Sequence, residues 1–156
     1  MLNDDKIIDR LFKEYSGSVF NYSLSLLKNY DDADDAVQDI FVRLIKSKES
    51  FKGNCSYKTW IMIITRNYCL TKLNGKANAP QRIDEKFIKA YNPSIETSMA
   101  IDEALGRLSR EDFELIYLRE YEKHSYREIA EILGITVDNL KVKLFRVRKQ
   151  LKEYLK

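Results

Sequence analysis

Residues 125 to 151, SYREIAEILGITVDNLKVKLFRVRKQL, constrain the fold of this chain more tightly than any other stretch. Two helical runs lie on either side of a three-residue turn, with a start signal before each and a stop signal between them. Ser125 followed by Glu128 has the spacing of a capping box, in which the hydroxyl and the carboxylate satisfy each other's backbone N–H groups. Gly134 supplies the left-handed backbone that ends a helix, and Thr136 can cap the next one. Ala130 is small where a second helix must cross closely. In the second run Val137, Leu140, Leu144, Val147 and Leu151 share one arc of the helical wheel. Asp138, Asn139, Val142, Phe145, Arg146 and Lys149 project from the opposite side. A helix, a tight turn and an amphipathic helix with a basic outer face form a helix-turn-helix suited to a major groove.

The rest of the chain carries the same helical period. Asp4 or Asp5 can cap a first helix with Ile8, Leu11, Phe12, Tyr15, Val19 and Phe20 at spacings of three and four, running to about Lys28. Asn29 to Asp32 breaks it. A second helix opens on Asp31, Asp32, Asp34 and Asp35, which suit the positive end of the macrodipole, and buries Val37, Ile40, Phe41, Leu44 and Ile45. Ser50 to Ser56, with Gly53 and Asn54, reads as a loop. Ser56 then caps a third helix through Leu73, whose inner face is Trp60, Ile63, Ile64 and Leu70. Asn74 to Pro93 loses the apolar stripe and gains Gly75, Pro80 and Pro93, so it reads as a linker with one weak helical turn around Phe87 to Tyr91. Extended, such a linker reaches at most roughly 70 Å. From Ser94 a helix with Met99, Ala100, Ala104, Leu105 and Leu108 on one face runs to near Arg107. Ser109, Glu111 and Asp112 start another, carrying Phe113, Ile116, Tyr117, Leu118 and Tyr121. The expected architecture is all-α: residues 1–75 form one small helical domain, 76–93 a flexible linker and 94–156 a second.

Charge is sorted along this organisation. Lys and Arg against Asp and Glu number 7 to 10 over residues 1–50, 8 to 2 over 51–90, 4 to 8 over 91–124 and 8 to 4 over 125–156. The net charge of +3 conceals two basic blocks separated by an acidic one. Lys52, Lys58, Arg66, Lys72, Lys76 and Arg82 make the first; Lys141, Lys143, Arg146, Arg148, Lys149 and Lys152 make the second. Two basic blocks on one chain imply two polyanion contacts. No phosphate-cradling glycine motif appears, and His124 stands beside no nucleophile arrangement, so a non-catalytic protein without cofactor is expected. Cys55 and Cys69 form neither a disulfide framework nor a zinc-ligand pair, so no metal is expected. Met1 to Asp9 lacks the layout of a secretory signal and no apolar run spans a bilayer, so the expected location is cytoplasmic, without membrane insertion.

Residues 108–151, LSREDFELIYLREYEKHSYREIAEILGITVDNLKVKLFRVRKQL, resemble the fourth domain of the sigma-70 family, which reads the minus-35 promoter element. DDADDAVQDIFVRLIKS and FKGNCSYKTWIMIITRNYCLTKL, residues 31–47 and 51–73, resemble the second domain. Both halves match in the family's order with only a short linker between them, so the chain is similar to the extracytoplasmic-function (ECF) group. The resemblance implies an alternative sigma factor that binds core RNA polymerase, recognises the minus-ten and minus-35 elements, promotes initiation and catalyses nothing covalent itself. Asp35, Gln38, Asp39 and Arg43 would dock on the polymerase. Phe51, Lys52, Asn54, Ser56 and Tyr57 would form the pocket for an extruded minus-ten base, with Lys58, Arg66, Asn67 and Lys72 contacting the strand. Ser125, Tyr126 and Arg127 would meet phosphates, while Thr136, Asp138, Asn139, Lys141, Lys143, Arg146 and Lys149 would serve the minus-35 contact. The family commonly has Ser where Val142 stands and Arg where Lys143 stands, which leaves the preferred upstream sequence open; Val142 and Phe145 could touch thymine methyl groups. An anti-sigma factor or other regulator is a further expected partner. The helix-turn-helix alone would also suit a free-standing repressor or activator, expected to dimerise on a palindrome. A nucleic-acid-processing enzyme is disfavoured by the missing metal-ligand cluster.

Overall fold

In a computed structural model, residues 4–47, 51, 53–75 and 99–156 are described, and among them the regular structure is entirely helical. The chain divides into two compact units, Met1–Asn78 and Ala79–Lys156. The expected linker, its weak turn at Phe87 to Tyr91, and the stretch from Ser94 to residue 98 lie outside the described residues, as does Lys52.

The first unit is a three-helix bundle of α1 (Asp4–Leu27), α2 (Tyr30–Ser47) and α3 (Tyr57–Asn74), each packed on the other two. Asp4 and Asp5 already belong to α1. The break after α1 is shorter than the sequence suggests. Lys28 takes φ 56, the left-handed conformation of a helix stop, and its N–H reaches Leu24 O at 2.8 Å. Asn29 then caps α2, its side-chain oxygen accepting from Asp32 N–H at 2.9 Å. The core is built on Leu11, Val19, Tyr22, Leu24, Ile40, Leu44, Ile61 and Met62.

Two expected faces are corrected. Ile45 is exposed rather than buried, and Val37 is only half-buried; α2 instead turns inward at Ala33, Ala36, Ile40, Phe41 and Leu44. On α3 the inner face is Thr59, Ile61, Met62, Thr65, Tyr68 and Cys69, while Trp60, Ile63, Ile64 and Leu70 are half-buried. The helix is therefore rotated by half a turn, about 180° at 100° per residue, from the expected phase. Buried Thr65 closes its hydroxyl onto Ile61 O at 2.7 Å, so its polar atom enters the core satisfied. Phe12, expected inside, is exposed but meets Phe41 edge-on with centroids 5.0 Å apart.

The second unit comprises α4 (Met99–Gly106), α5 (Arg110–Ile116), α6 (Tyr126–Leu133) and α7 (Val137–Tyr154). Met99 and Ala100 are exposed, so α4 packs through Ala104 and Leu105, followed by Leu108. Ser109 caps α5 by accepting from Asp112 N–H at 3.2 Å. The helix then widens into a π turn over Tyr117–Tyr121, where the sequence suggested a plain continuation, and Glu122 N–H reaches back five residues to Tyr117 O at 3.0 Å. Lys123 at φ 57 ends the widened turn, and Arg119 donates to His124 O at 2.9 Å. Phe113, Ile116, Tyr117, Leu118, Ile129, Ala130, Ile132, Leu140, Leu144 and Val147 form the core.

Candidate nucleic-acid interface and docking face

In the second unit the local signals form as the sequence demands. Ser125 Oγ accepts from Glu128 N–H at 3.1 Å, and Glu128 Oε1 accepts from Ser125 N–H at 2.8 Å, completing the capping box. Gly134 sits at φ 70, ψ 35, where a Cβ would meet no atom within 4 Å. Its requirement is therefore conformational and not spatial. Thr136 Oγ1 accepts from Asn139 N–H at 3.1 Å and starts α7. Both capping hydroxyls retain their own hydrogen, so Ser125 and Thr136 can each hold a backbone N–H and still donate to a phosphate.

On α7, Asp138, Asn139, Lys141, Arg146 and Lys149 are exposed, whereas Lys143 is half-buried. Val142 and Phe145 are 62% and 72% exposed, an apolar pair on the same outer side as the cations. Buried Leu140, Leu144 and Val147 hold the opposite side against the unit, with Val137 and Leu151 half-buried at its margins. Arg127 is exposed at the start of α6, 3.8 Å from Glu131. Tyr126 is half-buried in a cationic setting: Arg119 lies 4.5 Å over its ring, and Arg148 donates to its hydroxyl at 3.4 Å. That hydrogen bond holds the phenol below the usual tyrosine range, against the opposing effect of burial. Arg119 and Arg148 are not among the expected site residues because their meeting with Tyr126 is tertiary; charge patterning alone places Arg148 in the basic block.

In the first unit the loop after α2 carries an aromatic trio. Phe51 stacks on Tyr57 with centroids 4.4 Å apart and 24° between planes, and Trp60 closes on Phe51 at 5.1 Å. All three are half-buried, so Trp60 divides its surface between the bundle and the loop. Gly53 turns the loop at φ 75, with Asn54 and Ser56 exposed beside it. Ser56 Oγ accepts from Thr59 N–H at 3.1 Å and fixes the start of α3. Lys58 and Arg66 are half-buried, and Asn67 and Lys72 are exposed. A positive helix bearing half-open aromatic rings can hold a nucleic-acid backbone and stack an unpaired base.

Asp35, Gln38, Asp39 and Arg43 all lie exposed on α2. Tyr68 joins this face to α3: its hydroxyl donates to Asp39 Oδ2 at 2.6 Å, Arg43 lies 4.9 Å over its ring, and Lys72 lies at 5.6 Å. Burial, followed by the Asp39 hydrogen bond, pushes the Tyr68 phenol far above its usual range, so it remains a donor. Nothing local in the sequence flags this residue. Among the described residues, no group of His, Cys, Asp or Glu is placed to hold a metal ion, and no helix is long and apolar enough to cross a membrane.

Comparison with known proteins follows the same division. Residues 11–78 match the family described as sigma-70 region 2, and residues 98–151 match sigma-70, region 4. The chain is 26% identical to the RNA polymerase sigma factor YlaC of Bacillus subtilis (strain 168), over 94% of this chain and 90% of that one. It is 29% identical to the ECF RNA polymerase sigma-E factor of Haemophilus influenzae, over 95% and 87%. Among solved structures, CnrH in complex with the cytosolic domain of CnrY shares its fold at TM-score 0.72, 21% identity and coverage of 97% and 88%. The sigma factor RpoE, in complex with the anti-sigma factor NepR from Bartonella quintana, does so at TM-score 0.70, 22% identity and coverage of 96% and 97%.

Proposed function

The chain belongs to the sigma-70 family of RNA polymerase sigma factors, in the ECF group, and on that premise we propose that it is an alternative sigma factor. It binds core RNA polymerase, recognises the minus-ten and minus-35 promoter elements and promotes initiation. Residues 1–75 serve polymerase and the minus-ten element, 76–93 act as the tether, and 94–156 serve the minus-35 element. The observation that carries this reading is the pairing, on one chain, of a capped helix-turn-helix with a helical unit whose basic helix adjoins a half-open aromatic trio.

Asp35, Gln38, Asp39 and Arg43 supply the docking face. The Phe51–Tyr57 stack is supported as the platform for an extruded base by its geometry, since a base released from the duplex loses a few kcal/mol of stacking that a π surface can offset. Lys58, Arg66, Asn67 and Lys72 follow the separated strand. In the second unit Arg127 and the Tyr126 cluster meet phosphates, and Asp138, Asn139, Lys141, Arg146 and Lys149 face the groove. Lys143 stands closer to the protein, so it contributes charge near the groove edge. The chain performs no covalent step; polymerase supplies that chemistry. It works in the cytoplasm, where the template and polymerase are. An anti-sigma factor or other regulator is a further partner, supported by a solved relative, RpoE, held in a complex with an anti-sigma factor.

Run-off transcription with purified core polymerase over a panel of promoters tests this reading. Chain-dependent initiation at defined start sites is the expected result. A chain that leaves start-site choice unchanged, and instead dimerises on a palindrome without polymerase, would be a free-standing regulator.

A further inference from the structure

We infer that Tyr68 is a positioning residue for polymerase docking, orienting the Asp39 carboxylate and seating Arg43 on the outer face of α2; the inference rests on the docking role proposed above. Tyr68 is 3% exposed and its ring is part of the bundle, yet its hydroxyl emerges beside an exposed aspartate on the neighbouring helix. The 2.6 Å hydrogen bond engages Oδ2 of Asp39, and the Arg43 guanidinium lies 4.9 Å over the same ring. An exposed aspartate and arginine one helical turn apart ordinarily sample several rotamers, and freezing them on binding opposes association. Here a rigid phenol limits both before any partner arrives. The carboxylate keeps its other oxygen for an outside donor, so the partner group this arrangement suits is a guanidinium or ammonium on core polymerase.

Tyr68 also touches the strand-contacting side. Lys72, one turn further along α3, lies 5.6 Å from the ring centroid, so one aromatic plane carries a cation from each of two functional faces. A leucine at this position could fill the core but could neither donate to Asp39 nor seat the cations. The phenol is therefore more than packing.

The test uses the full chain with core polymerase, titrating wild type, Tyr68→Phe, Asp39→Ala and the double variant in run-off transcription. Phe keeps the ring, and thermal unfolding checks that each variant is folded. Tyr68→Phe is expected to raise the half-saturating concentration by about three- to ten-fold, the effect of one lost hydrogen bond, while the plateau at saturation holds. In the Asp39→Ala background the same change is expected to add nothing. If Tyr68→Phe titrates like wild type while Asp39→Ala is shifted, this inference is overturned and the docking face stands. If Asp39→Ala also titrates like wild type, both are overturned. Equal shifts from Tyr68→Phe with and without Asp39 would assign the phenol to general stability and overturn the positioning role.

Discussion

The guanidinium of Arg148 lies 3.2 Å from the carboxylate of Glu120, tying α7 to the π turn twenty-eight residues earlier. The partners are 44% and 55% exposed, so the bridge itself contributes at most about 1 kcal/mol to stability. Its larger consequence is electrostatic. One cation beside Tyr126 and the start of α6 is neutralised within the protein. Glu120→Gln is expected to leave the fold nearly unchanged and to strengthen binding of holoenzyme to promoter DNA at low salt. The slope of log affinity against log salt should steepen by about 0.9 if the released arginine takes up one phosphate. Filter binding across a salt series checks this; an unchanged slope means Arg148 reaches no phosphate.

The two caps of α6 should be sensitive in proportion to their backbone geometry. Ser125→Ala removes the capping box and is expected to cost about 1 kcal/mol. Gly134→Ala places a Cβ at φ 70 and is expected to cost about 1–2 kcal/mol, whereas Gly134→Asn should cost less because asparagine tolerates that conformation. Chemical denaturation of the three variants ranks them. Equal losses for Ala and Asn at position 134 would contradict the conformational explanation.

Arg146 stands exposed on the outer side of α7, with the exposed Val142 and Phe145. Arg146→Ala is expected to cost about 1–3 kcal/mol in upstream-element binding and to relax preference at one base pair if the side chain reads a base. Footprinting on a set of single-base promoter variants distinguishes this from a phosphate contact, which would weaken every sequence alike.

In the first unit, Tyr57→Ala removes one ring of the Phe51 stack. The expected loss is about 1–3 kcal/mol in open-complex formation, with upstream binding preserved. A fluorescent base analogue placed at the minus-ten element of a holoenzyme complex reports the opening directly. An unchanged opening signal would return these rings to a purely structural role.

The Tyr68 phenol makes the first unit sensitive to alkali. Its folded value is raised above the ordinary 10.0, so the folded state favours the protonated form. That stabilisation is complete below pH 10 and is lost as the pH climbs from there through the raised folded value. Alkaline unfolding followed by circular dichroism is expected to begin above pH 10, and Tyr68→Phe should remove this tyrosine's share of the slope. A variant with wild-type alkaline behaviour would show that the buried phenol has no such linkage.

Devices that act within a few residues are legible from sequence alone: the Ser125–Glu128 box, the left-handed Gly134, the caps at Ser56, Ser109 and Thr136, and the amphipathic α7. Each is decided by local hydrogen bonding or steric limits that no distant residue can change. The basic outer side of α7 was readable from periodicity and charge, whereas the aromatic trio was not: Phe51 and Tyr57 entered only through the family resemblance, and Trp60 was expected on the inner face of α3. The rotation of α3 was not readable either. Trp60 to Ile64 is an unbroken apolar run, so a helix through it has no unique hydrophobic side, and packing against α1 and α2 chose Ile61, Met62, Thr65 and Tyr68. That choice brought Tyr68 against Asp39, just as folding brought Arg148 against Glu120 and Tyr126. Periodicity can show that a helix must bury a face, but where several faces would serve, only the neighbouring surfaces select one.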